Sequence, residues 1–475
     1  MAAMTLVMND VIYLSIADNG AEIEAGRLSP VDLTKATLQR IVETDDRLHA
    51  YVLVMKESAL AEAEAATERA RTGARLGPLD GIPMGIKDIY DTAGAVTTNG
   101  TGAHRFRVPT ADCTPVARLR AAGAVIVGKT NTHELAMGGT TNNVHYGPTH
   151  NPWMLDRIPG GSSGGSGAAL ASGQAMGALG TDTGGSIRGP ASYCGISGIK
   201  PTYGLSSRAG VAALSHTLDH TGPMARTAFD CAVMLNALQG YDPLDLDSAD
   251  RPTEDFAAGI DGGVRGMTLA VIPSLAAVAM PDVQAAFEAS LATLESLGAR
   301  ITTIEPLAGI DDYRGMVQCI SAVEANDYNE AIVHQDPPTI GASVRTRLAV
   351  GRATPAYVYA RALDARKVLE RRMEHALKDN GIDAYLVPTT PMTAFPIDPD
   401  ADRDETPARA RNGVMQVFNV SRQPSMSIPN GFDAEGLPAG LLISGAQWTD
   451  AKVLRIAHAF QQTTDFHTKR PPLFA

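Results

Sequence analysis

Residues Gly160 to Pro190 read GGSSGGSGAALASGQAMGALGTDTGGSIRGP, and this stretch constrains the chain more than any other. It carries two serine-bearing glycine turns, one around Ser162 and one around Ser186. Glycines beside a serine let backbone N–H groups and a hydroxyl converge where larger side chains would clash. Between the turns, Ser163–Ala171 is small and alanine-containing and reads as a helix, and Gly177–Thr181 reads as a strand. A helix of that length spans about 14 Å, and five or six extended residues span about 17–20 Å. If the two run antiparallel, the chain goes out and returns, so Ser162 and Ser186 are expected to meet at one end of the fold.

The turn Thr183-Gly184-Gly185-Ser186 can aim several backbone N–H groups at one point. An oxyanion hole needs that arrangement, and one such donor is worth about 2.7–4 kcal/mol in acyl transfer. Ser186 on the same turn is a candidate nucleophile, which still requires a base.

Readings built on one motif lack their partners. Gly160-Gly161-Ser162-Ser163-Gly164 fits the G-x-S-x-G elbow of α/β-hydrolases, but the preceding NPWMLDRIP does not read as a strand. The late histidines that elbow would need, His458 and His467, read as structural. Ser197-Gly198-Ile199-Lys200 fits S-x-x-K without a suitably placed S-D-N. A phosphate loop needs Gly-Lys-Ser/Thr, which does not occur, and the 11 histidines show no H-E-x-x-H spacing, so no metal or other cofactor is expected.

Architecture follows from alternation. Short apolar runs at Ile82–Ile86, Ala124–Val127, Leu269–Ile272, Ala384–Val387, Met426–Ile428 and Gly440–Ile443 read as buried strands. Thr114–Ala122, Asp282–Leu297, Pro355–Lys378 and Asp450–Gln462 read as helices. The pattern is α/β, a large mixed sheet sandwiched between layers of helices. About residues 1–75 read as a helical layer, opened at Ser29-Pro30-Val31-Asp32 by a cap, a first-turn proline and an acid. The catalytic motifs fall in about 76–230, while about 232–265 and 310–355 break the rhythm and read as peripheral insertions. No repeat or Pro/Gly/Ser-rich linker divides the 475 residues, which read as a single domain.

With 44% hydrophobic and 19% charged residues, the composition is that of an ordinary globular enzyme. The net charge of −12 and the absence of Lys/Arg-rich runs argue against nucleic-acid binding. Cys113, Cys194, Cys231 and Cys319 are widely spaced, as expected of reduced thiols in a cytoplasmic protein. The N-terminal apolar stretch lacks a basic start and contains Asp10, a poor signal peptide, and no apolar run reaches membrane-spanning length.

Taken together, the motifs resemble the amidase signature family. GGSSGGSGAALASG followed by GTDTGGSIRGPASYCGISGIKPTYG is similar to the family's core in order and spacing. Gly81-Ile82-Pro83-Met84-Gly85-Ile86-Lys87-Asp88 resembles its lysine strand. Thr132–Gly138, His145–Pro148, Ser215–Pro223 and Pro388–Pro391 resemble other family segments, so the likeness spans about residues 25–465. The resemblance implies a Ser–cis-Ser–Lys triad with Lys87 as base, Ser162 as bridging serine and Ser186 as acylated nucleophile. It also implies an oxyanion hole of backbone N–H groups from Thr183, Gly184, Gly185 and Ser186. Lys87 must be neutral to accept a proton, which requires burial to lower its pKa; Ile82, Ile86 and Ile89 are the expected apolar setting. Asp182 and Arg188 are expected to brace the nucleophile turn, Cys194 to be a packed thiol, and Met137 and Gly138 to line the substrate pocket.

Within the family the chain resembles both stand-alone bacterial amidases and the amidase component of the tRNA-dependent amidotransferases. Where that component has Arg-Tyr-Asp-Gly after Glu-Ala, Glu324-Ala325 is followed by Asn326-Asp327-Tyr328-Asn329. Where it has an acid that grips glutamine's amino group, Asn412 stands beside Arg411. Both departures favour a stand-alone hydrolase of linear amides or carbamates, with a small-molecule substrate carrying a hydrophobic or aromatic part. A non-catalytic scaffold is disfavoured because all three triad residues are present. Oligomeric state is not legible; a homodimer is the working expectation.

Overall fold

The computed structural model describes residues 8–310, 313–335, 339–398 and 414–474. Arg411 and Asn412 therefore lie outside the described residues. The strands are β1 (Tyr51–Val54), β2 (Pro83–Lys87), β3 (Val125–Thr130), the two-residue β4 (Asn142–Asn143) and β5 (Gly147–Pro148), β6 (Gly177–Asp182) and β7 (Ser197–Lys200). They continue as β8 (His220–Ala225), β9 (Thr268–Val271), β10 (Arg300–Thr303), β11 (Ala384–Pro388), β12 (Ser425–Phe432) and β13 (Pro438–Gly445). All except β4 and β5 join one 11-stranded sheet, ordered β1-β3-β2-β6-β8-β7-β12-β13-β11-β9-β10. It is mixed: β2 runs parallel to β3 and β6, β9 runs parallel to β10 and β11, and the other neighbours are antiparallel.

Helices cover both faces, as an α/β sandwich requires. The largest apolar cluster packs Ile82, Met84 and Ile86, in and just before β2, with Val116, Leu119, Leu235, Phe287, Leu294 and Leu454 from helices on one face. On the other face Val125 and Val127 meet Leu38, Ile41, Ala59 and Ala168, and Ala178 and Met224 meet Leu170, Ile187 and Ala191. Each helix start is local chemistry. Ser29 caps Pro30–Leu48 by accepting from the N–H groups of Val31 at 3.1 Å and Asp32 at 3.4 Å.

Two expectations about layout change. The first 75 residues are not helical throughout, because Tyr51-Val52-Leu53-Val54 forms the edge strand β1, antiparallel to β3. The segment 232–265 is not peripheral where it begins, since it opens inside the helix Ala228–Leu238, whose Cys231 to Leu235 are buried in the main core. That helix is apolar nearly all round, so it lacks the one-sided stripe by which a surface helix is recognised. Within 310–355, the helices Tyr313–Tyr328 and Ala342–Ala353 bury Ile320, Ala325, Val344 and Leu348. Among the described residues no helix is long and apolar enough to cross a membrane.

Candidate active site

Because β2 and β6 are parallel neighbours, their C-terminal ends lie at one edge of the sheet and bring Lys87 and Asp182 together. The helix Gly164–Ala171 starts at the same edge, just after Ser162 and Ser163. It spans one residue fewer than expected, and β6 one residue more. The two glycine turns meet as the spacing implies: Ser163 N–H donates to Ser186 O at 3.3 Å. Ser163 Oγ also lies 3.3 Å from both the N–H and the carbonyl oxygen of Thr181.

Lys87 is fully buried, and its Nζ donates to Ser162 Oγ at 2.6 Å and Thr181 Oγ1 at 2.7 Å. Burial lowers its pKa from 10.5 to about 7, against the opposing pull of Asp219 and Asp182. The cause is not the isoleucines expected from the sequence. Side chains alternate along a strand, so Ile82 and Ile86 face the opposite side of β2 and join the main core. Lys87 is enclosed instead from the side of the small-residue helix Gly164–Ala171, with two hydroxyls at its amine.

Two other fully buried lysines serve as internal controls. Lys129 pairs with Asp88 at 3.2 Å and donates to Tyr90 O and Thr97 Oγ1. Lys200 donates to Gln423 O at 2.5 Å. Only Lys87 of the three meets a serine hydroxyl. The S-x-x-K reading fails geometrically, since Ser197 and Lys200 are three apart on β7 and point to opposite faces. His458 pairs with Asp261 at 3.0 Å, so it serves no elbow serine.

The Gly161–Ser162 peptide bond is cis. Ser162 is fully buried, and its carbonyl oxygen accepts from Thr132 Oγ1 at 2.9 Å and His133 N–H at 3.1 Å. The loop 139–141 lies against Gly161: a Cβ there would stand 2.6 Å from Thr140 N and 2.7 Å from Gly139 C. Backbone cannot move aside as a side-chain tip can. Gly161→Ala is therefore expected to cost about 1–3 kcal/mol by overpacking, read as a lower midpoint in urea unfolding.

The Ser186 turn is braced from within. The buried Asp182 carboxylate accepts from the N–H groups of Gly185 at 2.7 Å and Ile187 at 3.1 Å. It also accepts two bonds from the Arg188 guanidinium, at 2.8 and 2.9 Å, and one from Asn419 Nδ2 at 2.8 Å. Burial alone would raise its pKa, but Arg188 and Asn419 outweigh it and hold the carboxyl well below the usual range. Thr183 Oγ1 donates to Asp219, which also accepts from Leu214 and Ser215 N–H. Gly185 has a φ of +123°, which favours glycine, and a Cβ there would strike Met415 Cε at 2.6 Å. Its N–H is committed to Asp182, so the turn presents Thr183, Gly184 and Ser186 as donors, one fewer than expected. Ser186 is partly exposed, and its hydroxyl has no hydrogen-bond partner among the described residues.

Met137 is buried in the main core, its carbonyl oxygen held by Arg347 at 2.6 Å. Gly138 leaves room for the His133 ring, which a Cβ would meet at 2.2 Å. Cys194 is a packed thiol whose Sγ donates to Pro159 O at 3.3 Å, and burial pushes its pKa well up. Sequence reasoning missed Thr181, Asp219, Met415, Gln416 and Asn419. Thr181 had a signal, since its hydroxyl lies beside a turn already singled out; the others arrive from distant segments.

The Amidase family model matches residues 32–454. The chain belongs to the amidase signature family. This amidase-signature chain is 38% identical over 491 residues to the amidase component of the glutamyl-tRNA(Gln) amidotransferase of Chloroflexus aggregans, covering 98% of this chain and 99% of that protein. Its fold is similar to that of a peptide amidase solved with the competitive inhibitor chymostatin, at a TM-score of 0.85 and 31% identity, covering 96% and 98% of the two chains. Against the corresponding amidotransferase component of Thermotoga maritima the TM-score is 0.78 at 32% identity, with 96% of each chain covered.

Proposed function

We propose that the chain hydrolyses the carbon–nitrogen bond of linear amides through a seryl acyl-enzyme, acting without other protein components. The observation that carries this reading is the 2.6 Å contact between buried Lys87 and Ser162. An amine with a pKa of about 7 is substantially neutral at working pH, and its lone pair then accepts the Ser162 proton. Ser162 in turn takes the proton of Ser186, whose Oγ attacks the acyl carbon. The oxyanion is held by N–H groups of Thr183, Gly184 and Ser186. On collapse the proton returns through Ser162 to the leaving nitrogen, and water hydrolyses the ester by the same route. Met137 and Gly138 border the substrate through the loop that follows them. Carbamates pass through a similar tetrahedral adduct and belong to the same chemistry.

The better superposition on a peptide amidase than on an amidotransferase component supports a stand-alone hydrolase. The 38% identity to the Chloroflexus aggregans amidotransferase component favours a second reading, glutamine hydrolysis within a larger assembly. The purified chain decides between them. Hydrolysis of a nitroanilide or carbamate by the chain alone, with no ammonia from glutamine, supports the first; the reverse pattern overturns it.

The base imposes a pH profile. A lysine with a lowered pKa is active when deprotonated, so kcat/KM is expected to rise with pH through about 7 and level off above it. Lys87→Arg stays protonated and is expected to lose at least about 10²–10⁴-fold in kcat at pH 8. A retained rise through pH 7 in that variant would move the titration to another group.

A further inference from the structure

Gln416 sits at the edge of the nucleophile turn with an unsatisfied carboxamide. Its backbone is pinned: Gln416 O accepts from the N–H groups of Asn419 at 3.0 Å and Val420 at 3.1 Å. The preceding Met415 O accepts from Arg188 Nη1 at 2.9 Å. Its side chain lies over Gly184, with Cγ 3.4 Å and Nε2 3.7 Å from where a Gly184 Cβ would stand. Its Oε1 is buried and has no hydrogen-bond partner among the described residues. A buried acceptor without a donor is unfavourable, and a cleft beside a nucleophile is where a ligand would supply one.

The side of the cleft follows from the two loops that flank Ser186. Loop 139–141 packs on Gly161, beside Ser162, whereas Met415 and Gln416 pack on Gly185 and Gly184. In the proposed reaction the leaving nitrogen receives its proton from Ser162, so it lies toward the first loop. The acyl group then extends toward the second. We infer that Gln416 is a specificity-determining residue whose Oε1 accepts a hydrogen bond from an N–H on the acyl half of the substrate, next to the carbonyl-bearing carbon. The favoured acyl groups are therefore of the N-acylated amino-acid type. This inference rests on Ser186 being the nucleophile.

A matched pair of boronic acids tests it. Acetamidomethylboronic acid carries the N–H, and 3-oxobutylboronic acid replaces that N–H with CH2. In both, Ser186 Oγ forms a bond to boron, nothing leaves, and the serine proton passes to the Ser162–Lys87 pair. Dissociation constants are measured by calorimetry on the wild type, Gln416→Leu and Gln416→Glu. The wild type is expected to bind the acetamido compound about tenfold more tightly, the effect of one hydrogen bond. Gln416→Leu brings the ratio to about one, and Gln416→Glu, which keeps an acceptor oxygen, retains the preference. Equal binding of both compounds by the wild type overturns this inference alone, as does a Gln416→Leu variant that weakens both equally. Binding of neither compound overturns the Ser186 reading and this inference with it.

Discussion

Ser186→Ala is expected to lower kcat by about 10⁴-fold or more and to abolish labelling by a fluorophosphonate, while leaving the fold intact. Removing the serine of a proton-relay unit costs about as much as removing the whole unit, about 10⁶-fold in a well-studied serine protease. The Ser186 hydroxyl makes no hydrogen bond among the described residues and is partly exposed. Its removal leaves no buried group unsatisfied, and the change in stability is expected within about 0.5 kcal/mol. Stopped-rate assays and urea unfolding on the same preparation separate the two effects. Turnover within tenfold of wild type would remove Ser186 from the chemistry.

Asp182→Ala is expected to act in the opposite way, through stability. The carboxylate is fully buried and balances the equally buried Arg188 guanidinium at 2.8 Å. Breaking such a pair by removing one partner costs about 3–5 kcal/mol, because the other charge stays buried and unpaired. The Gly185 and Ile187 N–H groups lose their acceptor as well, so the turn loosens and kcat falls with stability. Arg188→Met should leave the reciprocal charge and destabilise comparably. The Asp182 pKa is held below its unfolded value. Its contribution is therefore complete above the ordinary carboxylate pKa of about 3.9 and is lost as pH falls through the folded value. Unfolding midpoints in urea at pH 7 and pH 4 measure both claims. A loss under 1 kcal/mol at pH 7 for Asp182→Ala would show that the turn is held by other contacts.

The sequence reached the site through local pattern and stopped where contacts become long-range. Glycines and alanines between Ser162 and Thr181 set one helix and one strand to within a residue, and their lengths brought Ser186 back to Ser162. Nothing in those residues points to Lys87; the family likeness supplied it, and β2 delivers it because β2 and β6 pair in parallel. The face of Lys87 was legible in principle, since strand alternation separates it from Ile86. The apolar run at residues 51–54 was a strand signal hidden between two helices. Met415, Gln416 and Asn419 reach the turn from more than two hundred positions away, and no spacing rule predicts that.

Lys87 also makes folding a proton-releasing event. In the unfolded chain it is an ordinary solvated amine, protonated up to about pH 10.4. Enclosed beneath Ser162 and Thr181 it holds its proton only to about pH 7. Between these limits the unfolded chain binds the extra proton, so this residue opposes folding most near neutrality and progressively less as pH rises. The amine is thus an ordinary cation until the sheet closes, and its capacity to take a proton from a serine is conferred by the tertiary structure itself.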